Sequence, residues 1–104
     1  MRIPRHYTLI QRMRDARLKR CVPRCAPLAA SLVPQSRQRG GAQLTLKEQG
    51  KTRTVYVPQA LMEEATASTR EHQRLRKLLR EITQLELARI AAYAEHQRRR
   101  GDRP

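Results

Sequence analysis

The chain contains no Phe, no Trp and only three Tyr in 104 residues. Aromatic side chains bury the most area per residue, so a core here must be thin and aliphatic, and a continuous base-stacking platform is disfavoured. Acidic residues are scarce as well: 9 Asp plus Glu face 23 Lys plus Arg, a formal charge of +14. No apolar run approaches the roughly 18–20 residues that cross a bilayer, so no membrane span is expected. The mildly apolar stretch from Cys25 to Val33 contains Pro27 and follows an Arg-rich lead, which makes a poor secretory signal. The expected location is cytoplasmic, with an organellar transit peptide the alternative that an Arg-rich, acid-poor N-terminus leaves open.

The frames that catalysis needs are missing too. Gly40-Gly41 has no Lys-Ser or Lys-Thr after it and no strand before it, so it is no phosphate loop. His6, His72 and His96 are scattered, without a neighbouring nucleophile or carboxylate cluster to frame acid–base work. Glu63-Glu64 is the one carboxylate pair, but adjacent helical residues diverge by about 100°, and acids in a first turn are explained by the helix dipole. Cys21 and Cys25 lack a second local ligand pair for structural zinc; plain thiols are the expectation, with metal or redox pairing as alternatives. No enzyme activity, cofactor or metal is expected.

What is present in excess is arginine, 19 residues against 4 Lys. A net charge this high is costly in self-repulsion unless a polyanion binds, and the planar guanidinium grips phosphate oxygens with two hydrogen bonds. Residues 1–40 hold 10 basic and 1 acidic side chains, 41–69 hold 3 of each, and 70–104 hold 10 and 5. A near-neutral middle between basic ends reads as a folding unit with polyanion-binding extensions, or as a fold with solvated charge. The candidate phosphate contacts are Arg12, Arg14, Arg17, Lys19, Arg20 and Arg24; then Arg70, Arg74 and Lys77, on a face with Arg76 and Arg80; and Arg98, Arg99 and Arg100.

Along the chain, residues 8–20 place Leu9, Met13 and Ala16 on a narrow stripe, with Thr8 to cap a short basic helix that is marginal alone. Pro23, Pro27, Pro34 and Gly40-Gly41 then mark a linker, within which Ala29 to Val33 offers an apolar patch for the domain that follows. Residues 42–57 read as a β-hairpin turning at Gln49-Gly50: Glu48 faces Lys51, Leu46 faces Arg53, Leu44 faces Val55, and Ala42, Leu44, Val55 and Val57 share a face. Pro58 ends the second strand. From Gln59 to about Arg98 no Gly or Pro interrupts a helical composition, and Leu61, Leu75, Leu79, Ile82, Ile90 and Tyr93 fall on one broad face with Leu78 and Leu85 at its edge. Ser68-Thr69-Arg70-Glu71 has the pattern of a capping box, so a break there is the alternative to one long helix.

The run Gly50-Lys51-Thr52-Arg53-Thr54-Val55-Tyr56-Val57-Pro58, leading into Glu71-His72-Gln73-Arg74-Leu75-Arg76-Lys77-Leu78-Leu79, resembles a family of short bacterial proteins of unknown function encoded near transposases and other mobile-element genes. The likeness spans roughly residues 31–90 and includes Ser31-Leu32-Val33. Typical members carry a cysteine cluster and a His-Gly-Pro-Tyr-like segment before the hairpin. Residues 34–41 contain neither Cys nor His, so no metal role carries over to Cys21 or Cys25. The resemblance implies a mobile-element context, with a transposase or related protein as partner.

The expected fold is α+β, mainly α: a basic, partly irregular N-terminal arm over 1–41, a β-hairpin and long amphipathic helix over 42–98, and a basic tail over 99–104. The expected function is a nucleic-acid-binding accessory protein meeting DNA or RNA through Arg-rich arms. The alternatives are a ribonucleoprotein component and a helical adaptor. The adaptor, or a homodimer, would pair through an exposed stripe of Leu75, Leu78, Ile82 and Leu85, although Arg89 at the next core position disfavours a long coiled coil.

Overall fold

The computed structural model describes residues 1–34 and 41–101, so residues 35–40 of the Pro-rich linker and the last three residues of the basic tail lie outside the described residues. Its elements are α1 (Tyr7–Lys19), β1 (Ser31–Pro34), β2 (Ala42–Glu48), β3 (Lys51–Val57), a 3₁₀ turn (Gln59–Leu61) and α2 (Met62–Arg99). The expected α+β, mainly helical class holds. Two compact units divide the chain by contact: residues 23–75 form one, and residues 1–22 with 76–104 form the other. The linear division into arm, core and tail is thus not the division the contacts draw, because the N-terminal helix belongs with the second half of α2.

In the 23–75 unit, Leu and Thr in β2 and the β-branched and aromatic residues of β3 favour extended backbone. Gln49 (φ 51°) and Gly50 (φ 79°) both take the left-handed conformation that a two-residue type I′ hairpin turn demands. The register is the expected one, from Ala42↔Val57 through Leu44↔Val55 and Leu46↔Arg53 to Glu48↔Lys51. What the sequence did not announce is β1. It pairs antiparallel with β2 from Ser31↔Thr45 to Pro34↔Ala42, making a three-stranded sheet in the order β1-β2-β3. A strand of four residues is too short to show alternation, and a proline at its end is tolerated on an edge.

One face of this sheet carries Leu44 and Val57, which bury against Ala65 of α2, with Leu28, Ala30, Leu32 and Met62 packed around them. Full burial of a side chain such as Leu44 contributes about 1.5–3 kcal/mol, so this small cluster and the hairpin hydrogen bonds hold the unit together. Residues 23–30 run beside α2: the Leu28 N–H donates to the Ser68 carbonyl at 3.0 Å. Gly41 is needed for space, because a Cβ there would lie 2.5 Å from the Val57 carbonyl oxygen and 2.7 Å from the Tyr56 hydroxyl.

In the other unit, α1 lies beside the second half of α2, with Tyr7 against Tyr93 at one end and Arg17 against Glu81 at the other, so the two run antiparallel. The helix begins at Tyr7 rather than at residue 8, and the cap is His6, whose Nδ1 accepts the Thr8 N–H at 3.2 Å. The expected stripe is also corrected. Ile10 is the buried residue, 1% exposed, whereas Leu9 is 48% exposed. On α2, Leu78 (4% exposed) and Leu85 (0%) are the core, while Leu79 and Ile90 face solvent and Tyr93 is half-exposed against Tyr7.

α2 runs from Met62 to Arg99 without a break at Ser68. The weak segment is accommodated by hydroxyls turned back onto the helix: Thr66 Oγ1 donates to the Met62 carbonyl at 2.8 Å and Thr69 Oγ1 to the Thr66 carbonyl at 2.9 Å. Glu71 does not close a capping box on Ser68; it is engaged elsewhere.

Candidate nucleic-acid interface

The basic residues fall into two populations, separated by what their guanidinium groups touch. Arg14 donates to Glu86 and, at 3.0–3.2 Å, to Asp15. Arg17 Nε donates to Glu81 at 3.0 Å. These pairs join α1 to α2 across 72 and 64 residues of sequence, on flanks of the Ile10, Leu78 and Leu85 core. Arg89 also donates to Glu86, so that carboxylate is shared by two arginines. The hydrogen bonds from Arg17 hold the Glu81 carboxyl below its ordinary range, and those from Arg14 and Arg89 do the same for Glu86. The Arg14 guanidinium is raised in turn, first by Glu86 and then by Asp15. Arg14 and Arg17, expected from the sequence as phosphate contacts, are thus engaged in intramolecular ion pairs that link the two helices.

Arg74 is engaged in the same way. Its Nε and Nη2 grip both oxygens of Glu71 at 2.8 Å, and Glu71 is 6% exposed. The same carboxylate accepts the Arg24 backbone N–H at 2.6 Å, tying residues 23–25 to α2. The Arg74 fork and then the Arg24 amide pull the Glu71 carboxyl down to about 2. A buried carboxylate with three charge-assisted bonds is a clamp, and the Arg24 side chain itself remains exposed.

The outward population is Arg12 and Lys19 on α1; Arg76, Lys77 and Arg80 on α2; and Arg98 and Arg100 at its C-terminus, all exposed, while Arg20 at the end of α1 is exposed and its charge also acts on Glu81. In the 23–75 unit the outward cations are Arg70 on α2 and Lys47, Lys51 and Arg53 on the hairpin. Arg12 and Lys19 are seven residues apart, two helical turns, and so project from one face, opposite the face that buries Ile10. Arg99 pairs with Glu95 at 2.9 Å, but both side chains are more than half exposed, and such surface pairs hold weakly enough to exchange for phosphate. Arg98 and Arg99 also sit in the last turn of α2, where cations match the dipole.

At the start of α1, His6 stacks on Tyr7 (ring centroids 4.7 Å) and Tyr7 meets Tyr93 edge to face at 5.1 Å. A cavity of about 580 Å³ opens beside them, floored by Ile10, Ala88, Ala91 and Ala92 and rimmed by Arg5, His96 and Arg99. Two of the three tyrosines are thus spent on helix packing, and Tyr56 stands on the open face of the sheet. Cys21 and Cys25 are free thiols, and among the described residues no cluster of His, Cys, Asp or Glu is arranged to hold a metal. No helix among the described residues is long and apolar enough to cross a membrane.

The four residues expected to make an open adaptor stripe are not open together. Leu78 and Leu85 are buried and Leu75 and Ile82 half-buried. The error is one of phase: the apolar positions of α2 cover more than one face, and only the position of α1 decides which is interior. No protein-family model, curated protein sequence or solved structure shows significant similarity to this chain.

Proposed function

We propose that this protein is a non-catalytic nucleic-acid-binding accessory factor that neutralises phosphates with the outward Arg and Lys side chains. The observation that carries the reading is the partition of charge. Glu71, Glu81 and Glu86 are drawn into partly buried intramolecular ion pairs, so the exposed cations outnumber the exposed carboxylates Glu48, Glu63, Glu64 and Glu95. Such a surface attracts a polyanion by counterion release. The contacts of this reading are Arg12, Lys19, Arg20, Arg24, Arg70, Lys77, Arg98, Arg99 and Arg100. The resemblance of residues 31–90 to proteins encoded beside transposases supports a mobile-element setting.

Fluorescence anisotropy of labelled duplex DNA, single-stranded DNA and RNA tests it directly. Binding at low salt that weakens steeply with added salt is expected, and absence of binding to all three ligands would sink the proposal. A second reading, association with another protein, is favoured by the open apolar side chains Leu79, Leu87 and Ile90 on α2. Under that reading Ile90→Asp lowers the mass measured by light scattering, and an unchanged monomer mass in both proteins excludes self-association.

A further inference from the structure

The cavity of about 580 Å³ at the start of α1 falls within the roughly 300–1,000 Å³ of small-ligand sites, and it is concave, unlike the helix faces that carry the other cations. Ala88, Ala91 and Ala92 stand at i, i+3 and i+4 on one side of α2, so they give it an apolar floor of short side chains beside Ile10. Four groups able to donate hydrogen bonds to an anion line the same space: Arg5, His6, His96 and Arg99. The fold sets the tautomer of His6. Its Nδ1 accepts the Thr8 N–H at 3.2 Å, so the proton of the neutral ring sits on Nε2, the atom left to donate to a ligand. His96 is placed at the cavity by its ring contacts with Tyr7 (5.6 Å) and His6 (6.1 Å). Glu95 is the one carboxylate of the lining, and Arg99 engages it at 2.9 Å, so the donors still outnumber it.

We infer that this cavity takes the terminal nucleotide of a nucleic-acid strand, with its phosphate monoester on the Arg and His rim and its base or sugar on the alanine floor. The inference rests on the nucleic-acid reading above and adds to it a preference for strand ends, carried by Arg5, His6 and His96, which that reading leaves unused. A monoester carries about −1.5 to −2 charges at neutral pH and three terminal oxygens, against roughly −1 and two for an internal diester, so it gains more from several convergent donors. The floor suits the rest of the nucleotide, because a base or sugar face covers apolar surface there while the phosphate stays at the polar rim. A strand end also enters a cavity with chain on one side only, whereas an internal nucleotide needs an exit as well.

The test compares two 3′-labelled single-stranded DNAs by anisotropy at one fixed low salt. One is 5′-phosphorylated; the other ends in a 5′-hydroxyl and is one nucleotide longer, so both carry the same number of phosphates. The full wild-type chain is expected to bind the phosphorylated strand at least about tenfold more tightly. Two variants remove that preference by different routes: Arg5→Gln with His96→Gln takes away donors, and Ala91→Leu, at an exposed helix position, fills the floor and keeps every charge. Circular dichroism and urea unfolding establish that each is folded. Both are expected to bind the two strands within about twofold of each other and to hold the hydroxyl strand within about twofold of wild type. Arg12→Gln with Lys19→Gln instead weakens both strands and keeps their ratio. Thymidine 5′-monophosphate is expected to erase the wild-type preference at a concentration where thymidine does not. A wild-type chain with no preference, a preference that survives in either folded cavity variant, or one that thymidine 5′-monophosphate leaves intact overturns this inference, and salt-sensitive binding of both strands then leaves the phosphate-neutralising reading standing. Failure of the wild-type chain to bind either strand removes both readings.

Discussion

Glu71 is the residue on which the acid stability of the 23–75 unit turns. Its carboxyl sits near 2 in the folded protein against an ordinary 4.5, because Arg74 and the Arg24 amide bind the charged form. A group with a depressed folded pKa stabilises fully above its unfolded value and loses that contribution as pH falls toward the folded one. Stability measured by urea unfolding is therefore expected to decline between about pH 4.5 and pH 2, and Glu71→Gln to be less stable at neutral pH with a shallower decline over that window. A Gln variant that matches the wild type at pH 7 would contradict the clamp. At this scale the sequence was least legible. Arg14 and Arg17 look like phosphate ligands in a basic run, and nothing local shows that their carboxylates lie at Glu86 and Glu81 on a distant helix. Only Arg74 had a near signal, because an Arg three residues after a Glu lies on the same helix face.

Among elements, the hairpin was readable in full and the helices only in part. Alternation and a Gln-Gly turn fix a hairpin's register by themselves, so the pairing from Glu48↔Lys51 outward could be written from the sequence. Gly50 carries that turn at φ 79°, and Gly50→Ala is expected to cost on the order of 1 kcal/mol in urea unfolding without altering the register. β1 escaped notice because its strand character comes from its neighbour and not from its own four residues. For α2, length and continuity followed from the lack of Gly and Pro over forty residues. Its buried face did not, since Leu79, Ile82 and Ile90 compete with Leu78 and Leu85 for the interior and the sequence does not rank them. Leu85→Ala is expected to cost about 2–5 kcal/mol, while Leu79→Ala, at a position 58% exposed, stays within roughly 0.5 kcal/mol. The reverse order in thermal or urea unfolding would mean that α1 packs on the other face.

For the whole molecule, the decisive property is how the +14 charge is distributed between internal clamps and the outer surface. Composition motivates the proposal of a polyanion partner but does not say which arginines would be left for it. Separating Arg14, Arg17 and Arg74 from Arg12, Lys19, Arg98 and Arg100 required the fold, and it converts a compositional argument into one with named residues. The affinity of a phosphate-neutralising surface falls with salt along a log–log slope of about 0.9 per contact on duplex DNA. Each outward cation that touches phosphate therefore contributes about one unit to that slope. The measurement that tests this account most directly is the salt dependence of duplex DNA binding by the wild-type chain beside the quadruple variant Arg12→Gln, Lys19→Gln, Arg98→Gln and Arg100→Gln. The account predicts a folded variant that binds more weakly and with a slope shallower by about two to four units. A variant with the wild-type affinity and slope would contradict the assignment of these residues, and a wild-type chain whose binding ignores salt would contradict phosphate neutralisation altogether.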